Sequence, residues 1–192
     1  MLVLYQIKLR DRIPTMGREA LSSVWLVPTE KDAAPISQVI KDLAQRHDAT
    51  PFLPHITVWG AVTAPLAVVE EASRDAVSGI KPFTVEVERL DYSEEWAKTL
   101  FTQIKPNETL DEIHRRLADR LRRYTDYILN PHMSLIYKTE MTEEEKLKEI
   151  PNISIPQSFT LDRIAITLPG DPVEKWENVA LWSTPFLIRF GS

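Results

Sequence analysis

The sequence predicts an α+β protein built from two similar lobes, on three observations. Apolar residues recur at helical spacing in some segments and alternate in others. The segments keep no strict strand–helix repeat: two strand–helix pairs lead to a hairpin, then helix, strand, helix and strands. A short phrase, Pro-His-x-hydroxyl followed by an apolar run, occurs once in each half.

The elements can be justified in order. Leu21–Pro28 (LSSVWLVP) is β-rich and closed by proline, hence a strand. From Ile36 to His47, Ile36, Val39, Ile40, Leu43 and Ala44 mark one face of a helix. Pro54–Gly60 is a strand, Ala64–Val77 a second helix. Pro82–Tyr92 alternates Phe83, Val85 and Val87 against Thr84, Glu86 and Glu88, the mark of a half-buried antiparallel strand, with Thr99–Lys105 as its hairpin partner. Asn107 caps a helix striped by Leu110, Ile113, Leu117, Leu121 and Tyr124. Pro131–Lys138 is a strand, and Met141–Ile150 a short helix capped by Thr142. Ser158–Leu168, alternating imperfectly, and Val179–Ile188 close the chain as strands. Residues 1–20 form an extension of no assigned role, and residues 21–190 one bilobal unit.

Composition excludes several function classes. The 192 residues contain no cysteine, which removes disulfides, zinc–thiolate sites and thiol catalysis. A net charge of −5 argues against broad neutralisation of duplex phosphates. The five glycines are all isolated, so neither a Walker loop nor a dinucleotide fingerprint can be written, and a phosphate, if handled at all, has to be handled by side chains. The apolar start MLVLYQIKLRDR is too short for a secretory signal, and no run approaches a membrane span. A cytoplasmic or nuclear monomer with no membrane partner is expected.

The repeated phrase carries the chemistry. PHITVWG begins at Pro54 and PHMSLIYK at Pro131, placing the two histidines, His55 and His132, 77 residues apart, outside the period of solenoid repeats. Along a strand, residues i and i+2 share a face, so His55 pairs with Thr57 and His132 with Ser134 over apolar backs. Two such strands facing each other make a polar cleft with two imidazoles and two hydroxyls. Imidazoles titrate near neutrality, so one can accept a proton while the other donates, and hydroxyls can hold phosphoryl oxygens. That is equipment for in-line displacement at phosphorus without a metal or a covalent intermediate.

Rival chemistries fit less well. Two histidines lack a third metal ligand, and neither HxH nor HExxH occurs. Ser134 has no GxSxG elbow to make it a nucleophile. His47 and His114 read as capping or surface residues. Arg115, Arg116, Arg120, Arg122 and Arg123 could steer RNA toward the cleft, or form the solvated face of their helix. Trp25 and Trp59 could stack a base, or belong to the core.

The motifs HITV (His55–Val58) and HMSL (His132–Leu135) resemble the paired H-x-[ST]-x signatures of the 2H phosphoesterases. The opening strand SVWLVPTE and the extended HMSLIY resemble, within that group, the eukaryotic-type cyclic phosphodiesterases of tRNA splicing. The resemblance spans about Ser22 to Ile188. It implies two antiparallel sheets lining a central cleft with helices outside. It also implies a small-molecule cyclic phosphate substrate, either ADP-ribose 1″,2″-cyclic phosphate or a nucleoside 2′,3′-cyclic phosphate opened to the 2′-phosphate, and no cofactor. His55 and His132 become the acid/base pair, with Thr57, Ser134 and Tyr137 binding substrate. Strict alternation puts Tyr137 on the face opposite His132, so the strand must end or bulge before it. RNA ends or 2′–5′ linkages are alternative substrates, and a nucleotide-binding module without turnover is the alternative outside catalysis.

Overall fold

The structure, a computed structural model, describes residues 19–137, 140–169 and 178–191. Residues 1–18 of the expected extension and Lys138 of the second phrase lie outside the described residues; Glu19 and Ala20 already belong to the first strand.

Seven strands and four α-helices are present among the described residues. The strands are β1 (Glu19–Pro28), β2 (Ile56–Pro65), β3 (Phe83–Tyr92), β4 (Leu100–Ile104), β5 (His132–Ile136), β6 (Ser158–Leu168) and β7 (Ser183–Arg189). The helices are α1 (Glu30–Arg46), α2 (Leu66–Val77), α3 (Glu108–Leu121) and α4 (Glu143–Glu149). α1 begins earlier than its apolar stripe predicts. Thr29 caps it by accepting from the Asp32 amide, and Pro35 falls in the second turn, where it forgoes one backbone bond. Asn107 caps α3 through the amides of Thr109 and Leu110, and Thr142 forms a full capping box with Glu145 on α4. The final strand is shorter than expected: Val179–Leu181 is a 3₁₀ turn, and pairing with β6 starts only at Ser183.

The strands run in the order β2-β1-β6-β3-β4-β5, all antiparallel, with β7 sharing one edge of β6 with β3. Two half-sheets are joined through β3. Its first residues, Phe83–Glu86, pair with β6, and Val87–Tyr92 pair with β4. The halves are therefore not contiguous in sequence, because β6 and β7 return to the sheet begun by β1 and β2. The strongly twisted sheet brings its outer strands β2 and β5 into contact, so the two histidine phrases meet although they occupy opposite edges.

One core unites both half-sheets and the helices. Val24, Leu26, Ile56, Val58, Leu135, Ile164 and Ile166 are fully buried with Ile36, Ile40 and Leu43 of α1 and Leu110, Ile113 and Leu117 of α3. A smaller cluster of Trp25, Val27 and Ala165, covered by Trp182, lies on the opposite face of β1 and β6. The same strands are thus buried on both sides, which explains the unbroken burial from Arg163 to Leu168, while the imperfect alternation of β6 reflects the slip of register at Asp162 against β1.

Candidate active site

His55 stands immediately before β2 and His132 opens β5. The Nδ1 atom of His55 lies 2.6 Å from the Leu53 carbonyl, and that of His132 lies 2.7 Å from the Asn130 carbonyl. Each carbonyl belongs to the residue before the proline, two places upstream. A carbonyl can only accept, so Nδ1 carries the hydrogen in both rings and Nε2 is left to exchange a proton. The proline, with φ locked, restricts the turn that sets this geometry. The repeated proline therefore fixes a tautomer twice.

The two rings differ in surroundings. His55 is 3% exposed and stacks on Trp25 at 3.5 Å between centroids, with planes 12° apart. Phe52 and Trp182 stand edge-on at 6.0 and 6.3 Å. Burial pushes its pKa down to about 3; the Leu53 carbonyl opposes this and His132 adds to it. His132 is half-buried, edge-on to Phe101. Burial also holds it below the ordinary imidazole range, with help from the Lys98 charge. The carbonyls of Asn130 and Ala97 and the carboxylate of Glu95 pull the other way.

Tyr137 joins the two strands. Its hydroxyl is 3.2 Å from Nε2 of His55 and donates to the ring lone pair. The strand does what alternation requires. β5 ends at Ile136, and its ladder with β4 skips from Ser134 to Ile136, making Leu135 a bulge that reverses the facing of the residues after it. Burial raises the Tyr137 pKa, so the phenol stays protonated.

The predicted hydroxyls are placed differently from each other. Thr57 is half-buried on β2, whereas Ser134 is 3% exposed and donates to the Ala97 carbonyl at 2.5 Å. Trp25 is sealed between His55 and Trp182, with no free face for a base. Trp59 is fully buried in the core. Of the other histidines, His47 caps α1 and bonds Glu149 at 2.9 Å. His114 is neither cap nor surface residue: its Nδ1 lies 3.0 Å from the Val58 carbonyl, where the register of β2 with β1 slips, and its ring stacks on Trp59.

The arginine run reads as a solvated face. Arg115 pairs with Asp119, Arg116 with Glu112, Arg120 with Asp75 and Glu71, and Arg122 with Asp126, while Arg123 lies over Tyr124.

Sequence reasoning missed Trp96, Trp182, Phe52 and Lys98. Trp96 sits in a 3₁₀ turn between β3 and β4 and stacks on Tyr137 at 4.8 Å and 18°. Trp182 is 5.3 Å from both Trp25 and Tyr137. The available signal was a tryptophan in the polar stretch YSEEWAK, where a core role is out of place.

A family signature described as the 2′-5′ RNA ligase superfamily matches residues 27–169. A protein from Arabidopsis thaliana named cyclic phosphodiesterase is 28% identical over 171 residues, 83% of this chain and 92% of that one. Among solved structures, E. coli LigT complexed with 3′-AMP superposes with a TM-score of 0.57 at 11% identity, over 91% of this chain and 100% of the other. A second, TT0787 of Thermus thermophilus, gives 0.55 at 9% identity, over 88% and 97%. These two show the shared fold. With the fold, the paired histidine motifs and the family match in agreement, the chain belongs to the 2′-5′ RNA ligase superfamily and is a phosphoesterase of the 2H class.

Proposed function

We propose that the chain is a metal-independent cyclic phosphodiesterase that opens nucleoside 2′,3′-cyclic phosphates to 2′-phosphates and hydrolyses ADP-ribose 1″,2″-cyclic phosphate. The observation that carries the reading is the matched pair of imidazoles, each with Nδ1 tied to a carbonyl, so that Nε2 is the proton-exchanging atom of both rings. The name of the Arabidopsis relative supports it. Two imidazoles that exchange protons and two hydroxyls that hold phosphoryl oxygens require no metal, so turnover in EDTA is expected.

The surroundings divide the labour. His55, driven neutral by burial, is the base. Its Nε2 takes a proton from water as the water oxygen bonds to phosphorus, once the Tyr137 hydroxyl, 3.2 Å away, turns from the ring lone pair. His132 is the acid. Burial holds its resting pKa down, two carbonyls and Glu95 oppose that, and an arriving phosphate anion favours the charged form. As the P–O3′ bond breaks, the proton of His132 passes to O3′, leaving a 2′-phosphate. Thr57 and Ser134 hold the non-bridging oxygens, Ser134 by turning its hydroxyl from the Ala97 carbonyl.

The deciding experiment is hydrolysis of 2′,3′-cyclic AMP in EDTA by wild type and His132→Ala, with products resolved. A 2′-phosphate made by wild type alone is expected. Comparable turnover by the variant would overturn the assignment. The ion-paired arginines of α3 give no support to a long RNA substrate.

A further inference from the structure

Resting on that reading, we infer that Lys98 is the anion-binding residue of the cleft, its ammonium receiving the single negative charge of a cyclic phosphate diester. The site needs such a charge. The side chains identified so far are two imidazoles, two hydroxyls and a wall of aromatic rings: Trp25, Trp96, Tyr137 and Trp182. A phosphate entering them would give up its hydration for one protonated imidazole and otherwise neutral donors, at a steep desolvation cost.

Lys98 is placed to meet that cost. It ends the 3₁₀ turn that carries Trp96, and its Nζ lies 5.8 Å from the centroid of the Phe101 ring. The same ring meets His132 edge-on at 5.7 Å. The residue before Lys98 supplies the carbonyl that holds Ser134, so cation, hydroxyl and imidazole converge on one end of β5. The lysine side chain is 16% exposed, whereas its partner Glu95, 3.2 Å away, is 67% exposed. Glu95 can return to water when an anion displaces it; Lys98 stays.

The turn itself is braced, so exchange of partners needs only side-chain motion. Ser93 Oγ donates to the Lys98 carbonyl at 2.9 Å and accepts from the Glu95 amide at 3.1 Å. Beneath it, the buried ammonium of Lys146, on α4, donates to the Ser93 carbonyl at 2.9 Å and to Glu94 at 2.8 Å. Lys146 is committed there, and the arginines of α3 and the turn after it are paired with carboxylates or laid on Tyr124. Neither set competes for the role.

The test compares the full chain with Lys98→Met, Lys98→Arg, Glu95→Gln and the Glu95→Gln/Lys98→Met double variant. Inorganic phosphate binding is measured by calorimetry across a salt series, and turnover of 2′,3′-cyclic AMP in parallel. Lys98→Met is expected to raise Kd about tenfold or more and to flatten its salt dependence, with Lys98→Arg close to wild type. Glu95→Gln is expected to tighten binding, a gain that misfolding cannot imitate, and the double variant to lose that gain. Unchanged affinity and salt dependence in Lys98→Met, or no phosphate binding by wild type, would overturn the inference. Lys98-dependent phosphate binding without any turnover of the cyclic nucleotide would uphold the anion site while refuting the proposed function.

Discussion

His55 and His132 are written into nearly the same phrase and share the same Nδ1-to-carbonyl bond, yet their surroundings are opposite. One ring is sealed under Trp25, Phe52 and Trp182; the other stands half-open beside Lys98 and Glu95. Local sequence determines tautomer, because the carbonyl that orients each ring is two residues away. Protonation depends on residues tens of positions distant in the chain. A symmetric motif thus yields an asymmetric acid–base pair.

The comparison can be broken most severely by deleting either ring. His55→Ala and His132→Ala should each lower kcat by about 10²–10⁴, and the double variant should lose little more than the worse single one, since the two act in one step. Rapid-quench turnover of 2′,3′-cyclic AMP measures this.

A second experiment separates the rings by stability. The folded pKa of His55 is about 3, below the ordinary 6.5, so the unfolded chain takes up a proton that the folded chain refuses. Stability is therefore full above about pH 6.5 and falls as pH drops toward 3. Between pH 7 and 4.5 this one group should account for roughly 2–3 kcal/mol. Urea unfolding at both pH values should show that loss in wild type and a smaller one in His55→Phe; equal losses would refute the sealed environment.

The His132 side can be loosened through Lys146, which braces the turn carrying Ala97 and Lys98 from below. Lys146→Met keeps the apolar stem but leaves the Ser93 carbonyl short of a donor, costing about 1–3 kcal/mol in urea unfolding. The finest probe is Tyr137→Phe. Its hydroxyl bonds the neutral form of His55, so its loss should raise the His55 pKa while changing stability by about 1 kcal/mol or less. An NMR titration of the imidazole reads the shift, and an unmoved pKa would sever the link between the strands.

Much of this site was legible because it depends on short-range rules. Alternation assigned a face to His55, Thr57, His132 and Ser134, and caps at Asn107 and Thr142 announced two helices. What lay beyond reach depended on register and on distant pairing. Tyr137 gains the cleft only because Leu135 bulges, and nothing around Leu135 in sequence marks it as the extra residue. Trp182 covers Trp25 only because β7 pairs with β6, which itself lies beside β1. The alternation that breaks between Leu161 and Ile164 marks the slip of register at Asp162 against β1, and nothing local shows that this strand is covered on both faces.

The central place of β6 also sets a timetable for biosynthesis. This strand pairs with β1, β3 and β7, and its Arg163 side chain reaches the Pro28 carbonyl across 135 residues of sequence. Such distant partners make closure entropically expensive and slow. A nascent chain that has passed His132 holds both catalytic motifs, yet the strand that joins β1 to β3 has not left the ribosome. Until it emerges, the β1–β2 pair and the β3–β4–β5 ladder are separate edges, each exposed to mispairing. Competence for chemistry arrives in one late event, when residues 158–168 slot between two waiting half-sheets and draw the imidazoles together.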